Sequence, residues 1–184
     1  IVSASDYLKT EPAAYHVDGE AYVAFIEAHP PDTTVLLIYK KAGGQWVLDY
    51  QEVYPEGGYT FGSIAGHLLW QNIGYFNGEI HLLHNMDKSK VGGLTHVVKS
   101  NGNWQEIGFF NQEGVPFGTF AGSEIEFDSK GNLYWADGVD RIHGISSDQE
   151  YFQIEGPFNG NYWACLDFEI INDELYMYHV AGNK

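Results

Sequence analysis

Residues 75–84 read YFNGEIHLLH, a polar turn that leads into a run of apolar residues. A similar arrangement recurs as HVDGEAYVAF from His16, DSKGNLYWAD from Asp128 and IINDELYMYH from Ile170. Asn-Gly and Lys-Gly in these turns favour the positive φ that tight hairpins need, and the aromatic and β-branched residues that follow favour strands. These copies therefore predict a repeated β-hairpin.

A second hairpin follows each of the first three copies along the chain. It reads LLIYKKAGGQWVLDY from Leu36, LTHVVKSNGNWQEIGFF from Leu94 and RIHGISSDQEYFQIEG from Arg141. In each, an alternating strand, a short polar turn and an aromatic residue precede another alternating strand. Every such unit then holds about four short strands, and the aromatic residue is expected to pack between neighbouring units. These aromatic residues are Trp46, Trp104 and either Tyr151 or Phe152.

A longer repeat supports the same units, because FGSIAG begins at Phe61 and FGTFAG begins at Phe117, 56 residues later. Radially repeated four-stranded sheets with this spacing are propeller blades, so we predict an all-β, β-propeller-like fold in a single domain without helices. The main rival is an eight-stranded lipocalin-like barrel, of which such a repeat is not expected. The units run over residues 1–57, 58–113, 114–156 and 157–184.

The fourth unit contains only two predicted strands, so the chain amounts to about three and a half blades. This arrangement leaves a blade face and a sheet edge exposed, which favours association. Three interpretations stay open: the chain is part of a longer one, two copies pair as a homodimer, or the N-terminal segment completes the fourth unit. We favour the first.

Two stretches carry a family resemblance, GEIHLL from Gly78 and VKSNGNW from Val98. With Ser100, Gly102 and Trp104, the second resembles the Asp-box of the BNR repeats in sialidase-like propellers, at a shorter spacing and with Asn in place of the Asp. The turn DSKGNLY is similar to turns of many propellers. The resemblance implies a propeller fold and no catalytic residue, because the sialidase arginine triad would need three arginines and Arg141 is the only one.

The composition narrows the range of partners. Aromatic residues make up 16% of the chain, and the net charge of −16 repels nucleic-acid phosphates and anionic membranes. No apolar run of about 18 residues exists, so membrane insertion is not expected. Cys165 is the single cysteine, which excludes an intrachain disulfide. Glycans, protein ligands and calcium remain as partners, and the opening IVSASDYL indicates that a secretory signal is absent or has been removed.

The histidines are the first candidates for chemistry. His81 and His84 lie three residues apart on a predicted strand and therefore point to opposite faces of the sheet. This spacing weakens a shared metal site, and no metal-binding motif is present. His96 lies on the next strand and could sit beside either of the two, giving a functional histidine pair or a cross-strand hydrogen bond.

Paired carboxylates are the second candidates. Glu124 and Glu126 alternate with apolar residues, so both point to one face of a strand. They could act as acid and base on a glycosidic bond, bind calcium, or form a solvated acidic face. Asp137 and Arg141 belong to a polar turn, where the arginine is expected to be a structural ion-pair partner.

Adjacent aromatic pairs are the third candidates. Tyr134–Trp135 and Tyr162–Trp163 each place one ring on either face of a strand, so one member of each pair is expected to reach a groove or loop surface. Exposed rings beside Asp, Asn and Gly suit the stacking of a sugar ring. Ordinary packing on both faces of the sheets is the alternative.

These observations favour a non-catalytic carbohydrate-binding module that is extracellular or secreted, without a cofactor unless calcium takes part. The polar positions differ between units, which argues against a site repeated in every blade. A polysaccharide hydrolase or lyase of the sialidase-like type is the alternative, with His81, His84, Glu124, Glu126 and Tyr134 as its first candidates. A protein-interaction scaffold is the second alternative.

Overall fold

The computed structural model describes residues 8–9, 12–17, 19–29, 33–54, 71–85, 93–111, 125–136, 141–155 and 167–178. These residues form fifteen strands and contain no helix, which confirms the all-β prediction. Accordingly, nothing helical in these ranges is long and apolar enough to cross a membrane. The FGSIAG and FGTFAG segments lie outside the described residues.

Sheet 1 is formed by the first five strands, namely β1 (Leu8–Lys9), β2 (Ala13–Val17), β3 (Glu20–His29), β4 (Thr33–Ala42) and β5 (Gln45–Tyr54). Both β1 and β2 pair with β3, and β4 and β5 follow as an antiparallel meander. Since β1 and β2 pair with successive parts of β3, they act as one interrupted edge strand.

Sheets 2 and 3 are four-stranded antiparallel meanders in chain order, and sheet 4 is a two-stranded antiparallel hairpin. Sheet 2 contains β6 (Gln71–Phe76), β7 (Glu79–Asn85), β8 (Gly93–Ser100) and β9 (Asn103–Asn111). Sheet 3 contains β10 (Glu126–Phe127), β11 (Leu133–Ala136), β12 (Arg141–Ile145) and β13 (Tyr151–Glu155). Sheet 4 contains β14 (Asp167–Ile171) and β15 (Glu174–Tyr178). Each sheet falls within one of the four sequence units.

The predicted tight turns are present. Asn77 and Gly78, between β6 and β7, have φ angles of 49° and 86°, and Asn101 and Gly102, between β8 and β9, have φ angles of 50° and 81°. Two consecutive positive φ angles define the hairpin turn that matches the twist of the flanking strands. Asn and Gly tolerate this conformation, which explains why the repeat carries them there.

A β-bulge recurs between the third and fourth strands of sheets 1 and 2. In sheet 1 the register of β4 and β5 shifts after Ile38, which leaves Asp49 as the extra residue. In sheet 2 the register of β8 and β9 shifts after His96, which leaves Ile107 as the extra residue. A bulge bends the strand and changes the direction of nearby side chains.

The sheets stack in chain order, and an apolar core fills each gap. The core between sheets 1 and 2 is built from Ala24, Ile26, Leu36, Ile38, Ile73, Ile80, Leu82 and Val97. The core between sheets 2 and 3 is built from Leu83, Leu94, Ile125, Leu133, Trp135 and Ile145. The core between sheets 3 and 4 is built from Ala136, Ile142 and Phe168. In sheets 2 and 3, successive side chains along a strand therefore pack in two different cores, one on each face of the sheet.

Sheets 2 and 3 lie close together at Gly74. A Cβ atom at this position would lie 2.9 Å from Cβ of Ile125 and 3.0 Å from the ring of Phe127. These distances are shorter than a van der Waals contact, so a larger residue requires the sheets to shift. The glycine is therefore needed for the spacing of the two sheets.

Candidate functional site

A network of charged and aromatic groups crosses from sheet 1 to sheet 2. Nζ of Lys99 on β8 lies 2.5 Å from Oδ2 of Asp49 on β5 and 3.5 Å from the hydroxyl of Tyr22 on β3. Nε1 of Trp104 donates to the same Asp49 oxygen at 2.7 Å. Asp49 is the extra residue of the bulge in β5, and its carboxylate meets both donors.

Aromatic rings enclose the Lys99 ammonium. Its Nζ lies 5.0 Å from the ring centre of Tyr22 and 5.7 Å from that of Trp104, both within the range of a cation–π interaction. The Trp104 ring also contacts Tyr50 of sheet 1, with ring centres 5.8 Å apart. Trp104 therefore packs between two units, as its place in the repeat predicts.

The network continues along sheet 1 to a second ion pair. The Tyr22 hydroxyl donates to Glu20 at 2.7 Å, and the Glu20 carboxylate also pairs with Lys40. The hydrogen bonds from Lys40 and from Tyr22 lower the pKa of Glu20. Burial is the largest cause that raises the pKa of Tyr22, and the hydrogen bond to Glu20 is the second largest, so the hydroxyl stays protonated.

An open cleft of about 360 Å³ lies between the two sheets, and its lining includes Glu20, Tyr22, Lys40, Asp49 and Lys99. Two further side chains on the cleft wall are Tyr75, half-buried on β6, and Asn101, exposed in the turn after β8. The volume lies within the range of small-ligand sites. The cleft is therefore lined by ammonium and amide donors, by carboxylate acceptors and by the side chain of Tyr75, which also packs against the core between the sheets.

A second cluster, in the gap between sheets 2 and 3, contains the predicted histidine pair. Nδ1 of His81 lies 3.0 Å from Nε2 of His96, and Nδ1 of His96 lies 3.2 Å from Oε1 of Gln149. Because the Gln149 oxygen only accepts, His96 carries its proton on Nδ1 and His81 donates from its own Nδ1. Nε2 of His81 is then an unprotonated nitrogen, buried and without a hydrogen-bond partner within the described ranges.

Both histidines of this pair are neutral. Burial lowers the pKa of His81 to about 4. The pKa of His96 is also lowered to about 4, mainly by burial and to a smaller extent by repulsion from His81. The Phe127 ring of sheet 3 packs 4.8 Å from the His81 ring, and the Glu79 carboxylate lies 3.9 Å from Nε2 of His81, beyond hydrogen-bond distance.

The structure separates the other sequence candidates from this pair. His84 points to the opposite face, as predicted, and its Nε2 lies 3.4 Å from the Tyr54 hydroxyl of sheet 1. Glu126 and Tyr134 are register partners on β10 and β11, and Tyr134 packs in the core between sheets 3 and 4. They therefore lie on the face of sheet 3 that points away from His81.

Trp135 is not the member of the Tyr134–Trp135 pair that reaches a groove or loop surface. Trp135 is 0% exposed and stacks on His143, with ring centres 5.4 Å apart. The core between sheets 2 and 3 covers it, so no part of its ring is available to a ligand. Tyr134 and Trp135 do point to opposite faces, but both faces of β11 are covered by a neighbouring sheet.

Several candidates cannot be placed in the site. Arg141 lies on β12 opposite Glu155, but its side chain is outside the described part of the structure, as are Glu124, Asp137, Tyr162 and Trp163 altogether. Among the described residues, no three His, Cys, Asp or Glu side chains are grouped closely enough to hold a metal ion. Calcium binding therefore stays a prediction.

The DSKGNLY turn has a structural role. The Asp128 carboxylate accepts hydrogen bonds from the backbone N–H groups of Lys130 and Asn132, the side-chain amide of Asn132 and the Tyr134 hydroxyl, at 2.7–3.2 Å. Asp128 is buried, and its four donors come from its own turn and the strand that follows. The motif therefore stabilises a hairpin entry.

Five residues of the cleft were not predicted from the sequence, namely Glu20, Lys40, Asp49, Tyr75 and Lys99. One signal was available: in an acidic chain, Lys40 and Lys99 each precede the turn of the second hairpin by a few residues. The pairing of Lys99 with Asp49 depends on the stacking of the sheets, which no local pattern encodes.

Comparison with known proteins does not assign this site. The chain matches no protein-family model, and no curated protein is similar to it.

Proposed function

We propose that the chain is a β-propeller-type module that binds a carbohydrate, without catalysis, in the cleft between sheets 1 and 2. The propeller interpretation is supported by the four-stranded meanders stacked in chain order. It is further supported by the contacts of first strands in successive sheets, β2 with β6 and β10 with β14, because first strands meet around the axis of a propeller.

The observation that carries the binding proposal is the line of alternating donors and acceptors beside Tyr75. A saccharide offers hydroxyl groups that both donate and accept, together with an apolar ring face. The Lys40–Glu20 and Lys99–Asp49 pairs supply partners for the hydroxyls, and the Tyr75 ring supplies an apolar surface with a polar tip. This combination fits a sugar better than an apolar ligand.

The catalytic alternative has less support. A hydrolase would need its acid and base to converge on one substrate bond. His81 and Glu126 lie on opposite sides of sheet 3, and the His81–His96 pair is buried between two sheets. A protein-interaction scaffold remains the second alternative, and it is an outcome of the test below.

The test is binding of the purified, folded chain to a broad glycan array, with and without calcium. We expect selective binding that weakens at least about tenfold in Tyr75→Ala, because the variant lacks the stacking ring. Tyr176→Ala is the matched control, since Tyr176 is a partly exposed tyrosine of sheet 4, remote in sequence from the cleft residues. A blank array would reject the proposal and favour a protein ligand, whereas equal losses in both variants would place the site elsewhere.

A further inference from the structure

The two ion pairs of the cleft differ in their access to solvent. The Lys99 side chain is 10% exposed and that of Asp49 is 21% exposed, so this pair forms the floor of the cleft. The Lys40 side chain is 25% exposed and that of Glu20 is 44% exposed, so this pair forms the rim. An incoming ligand therefore meets Lys40 and Glu20 first.

The four charges of the cleft cancel, although the whole chain carries a net charge of −16. A ligand carboxylate that accepts from Lys40 would be repelled both by the neighbouring Glu20 and by the field of the acidic protein. A ligand ammonium that donates to Glu20 would be repelled by the neighbouring Lys40. Either charged ligand would thus bring a like charge close to one member of the pair, which costs free energy.

Uncharged hydroxyl groups avoid this cost. An ammonium has three N–H donors and a carboxylate has about four lone-pair positions, so both groups retain capacity after pairing with each other. A sugar hydroxyl can accept from Lys40 and donate to Glu20 while the ion pair stays intact. Asn101, at the same cleft, adds an amide that donates and accepts.

We propose that the Glu20–Lys40 pair is a specificity element that restricts the cleft to uncharged saccharides. This inference rests on the proposed carbohydrate-binding function and goes beyond it by naming the ligand class and the residues that select it. Neutralising either partner is expected to change the class of saccharide that binds. Glu20→Gln leaves Lys40 to attract a carboxylate, and Lys40→Met leaves Glu20 to attract an ammonium.

The experiment measures binding of neutral hexose, uronic-acid and free-amine hexosamine oligosaccharides, printed on one array at pH 6. Wild type is expected to prefer the neutral sugars by at least about tenfold. Glu20→Gln is expected to shift this preference about tenfold toward the uronic acids, and Lys40→Met is expected to shift it by a similar factor toward the hexosamines.

Two matched controls accompany these variants. Glu174→Gln removes a carboxylate that accepts from Tyr176, in the arrangement that joins Glu20 to Tyr22 but on sheet 4, and Lys41→Met removes the exposed lysine next to Lys40. Neither control should alter the preference. Wild-type binding of charged sugars as tightly as neutral ones, or no shift in either cleft variant, would overturn the inference and leave the binding function standing. No binding of any sugar by folded wild type would reject both.

Discussion

Lowering the pH from 7 to 5 should weaken the packing of sheet 2 on sheet 3 through His81 and His96. Both imidazoles are buried and neutral, with pKa values lowered from 6.5 to about 4. Between pH 6.5 and about pH 4 the unfolded chain binds more protons than the folded chain, so the free energy of unfolding falls as the pH falls through this range. Well above pH 6.5 the histidine pair has no effect on this free energy. Gln149 and Phe127 of sheet 3 carry no charge, and Glu79 opposes the effect only weakly, since its side chain is 41% exposed.

The magnitude follows from the shifts. At pH 5 each histidine is almost fully protonated in the unfolded chain and mostly neutral in the folded chain, which costs about 2 kcal/mol per histidine, or about 4 kcal/mol for the pair. The assay is urea unfolding at pH 7 and pH 5, followed by tryptophan fluorescence. The quantity compared is the loss of unfolding free energy between the two pH values, to which other groups contribute alike in all variants.

His81→Gln should reduce this loss by about 2 kcal/mol, and the double variant with His96→Gln should reduce it by about 4 kcal/mol. His16→Gln is the control, because His16 is exposed on β2 and should leave the loss unchanged. If the double variant does not fold, an NMR titration of the imidazole protons of wild type measures the two pKa values directly. The reasoning would be refuted if wild type and the folded variants showed equal pH dependence of the unfolding free energy, or if His81 and His96 themselves titrated near pH 6.5.

Three further experiments test the architecture, each by urea unfolding. Gly74→Ala should destabilise the chain by about 1–3 kcal/mol through overpacking between sheets 2 and 3, and an unchanged midpoint would show that the sheets are not held at this spacing. In a double-mutant cycle, Lys99→Met and Asp49→Asn should couple by about 1–2 kcal/mol, whereas additive effects would deny the ion pair. Asp128→Ala should cost about 2–3 kcal/mol because four donors lose their acceptor, while the exposed Asp148→Ala should have little effect, so similar losses would contradict the turn's role.

Local patterns predicted the features that depend only on strand geometry. His81 and His84 lie on opposite faces because side chains alternate along a strand, and Tyr134 and Trp135 do so for the same reason. The positive φ angle of Asn101 follows from the Asn-Gly sequence of its turn. None of these statements requires knowledge of the neighbouring sheet.

Features that depend on sheet stacking were not predictable in this way. The alternation of side chains shows which face of the strand carries Trp135, but it does not show whether that face meets solvent or another sheet. In the structure, Trp135 lies in one apolar core with Leu83 and Leu94 of sheet 2. Similarly, Lys99 and Asp49 come together only because two sheets pack in one particular register. The candidate site is therefore a product of tertiary packing, whereas the fold class is a product of local sequence.

The recurring bulge holds residues of different chemistry in sheets 1 and 2. Asp49 and Ile107 occupy the same bulge position in sheets 1 and 2, but only the first carries a charge. At the gap between sheets 1 and 2, the carboxylate of Asp49 accepts from both Lys99 and Trp104 and holds the two side chains together. Sheet 2 has an apolar residue at the equivalent position, and the polar groups in the next gap are neutral histidines that pair with each other. The same kind of bulge thus accompanies a charged cleft between sheets 1 and 2 and a buried pair of neutral histidines between sheets 2 and 3, so a ligand that needs paired charges is expected to bind in the first gap.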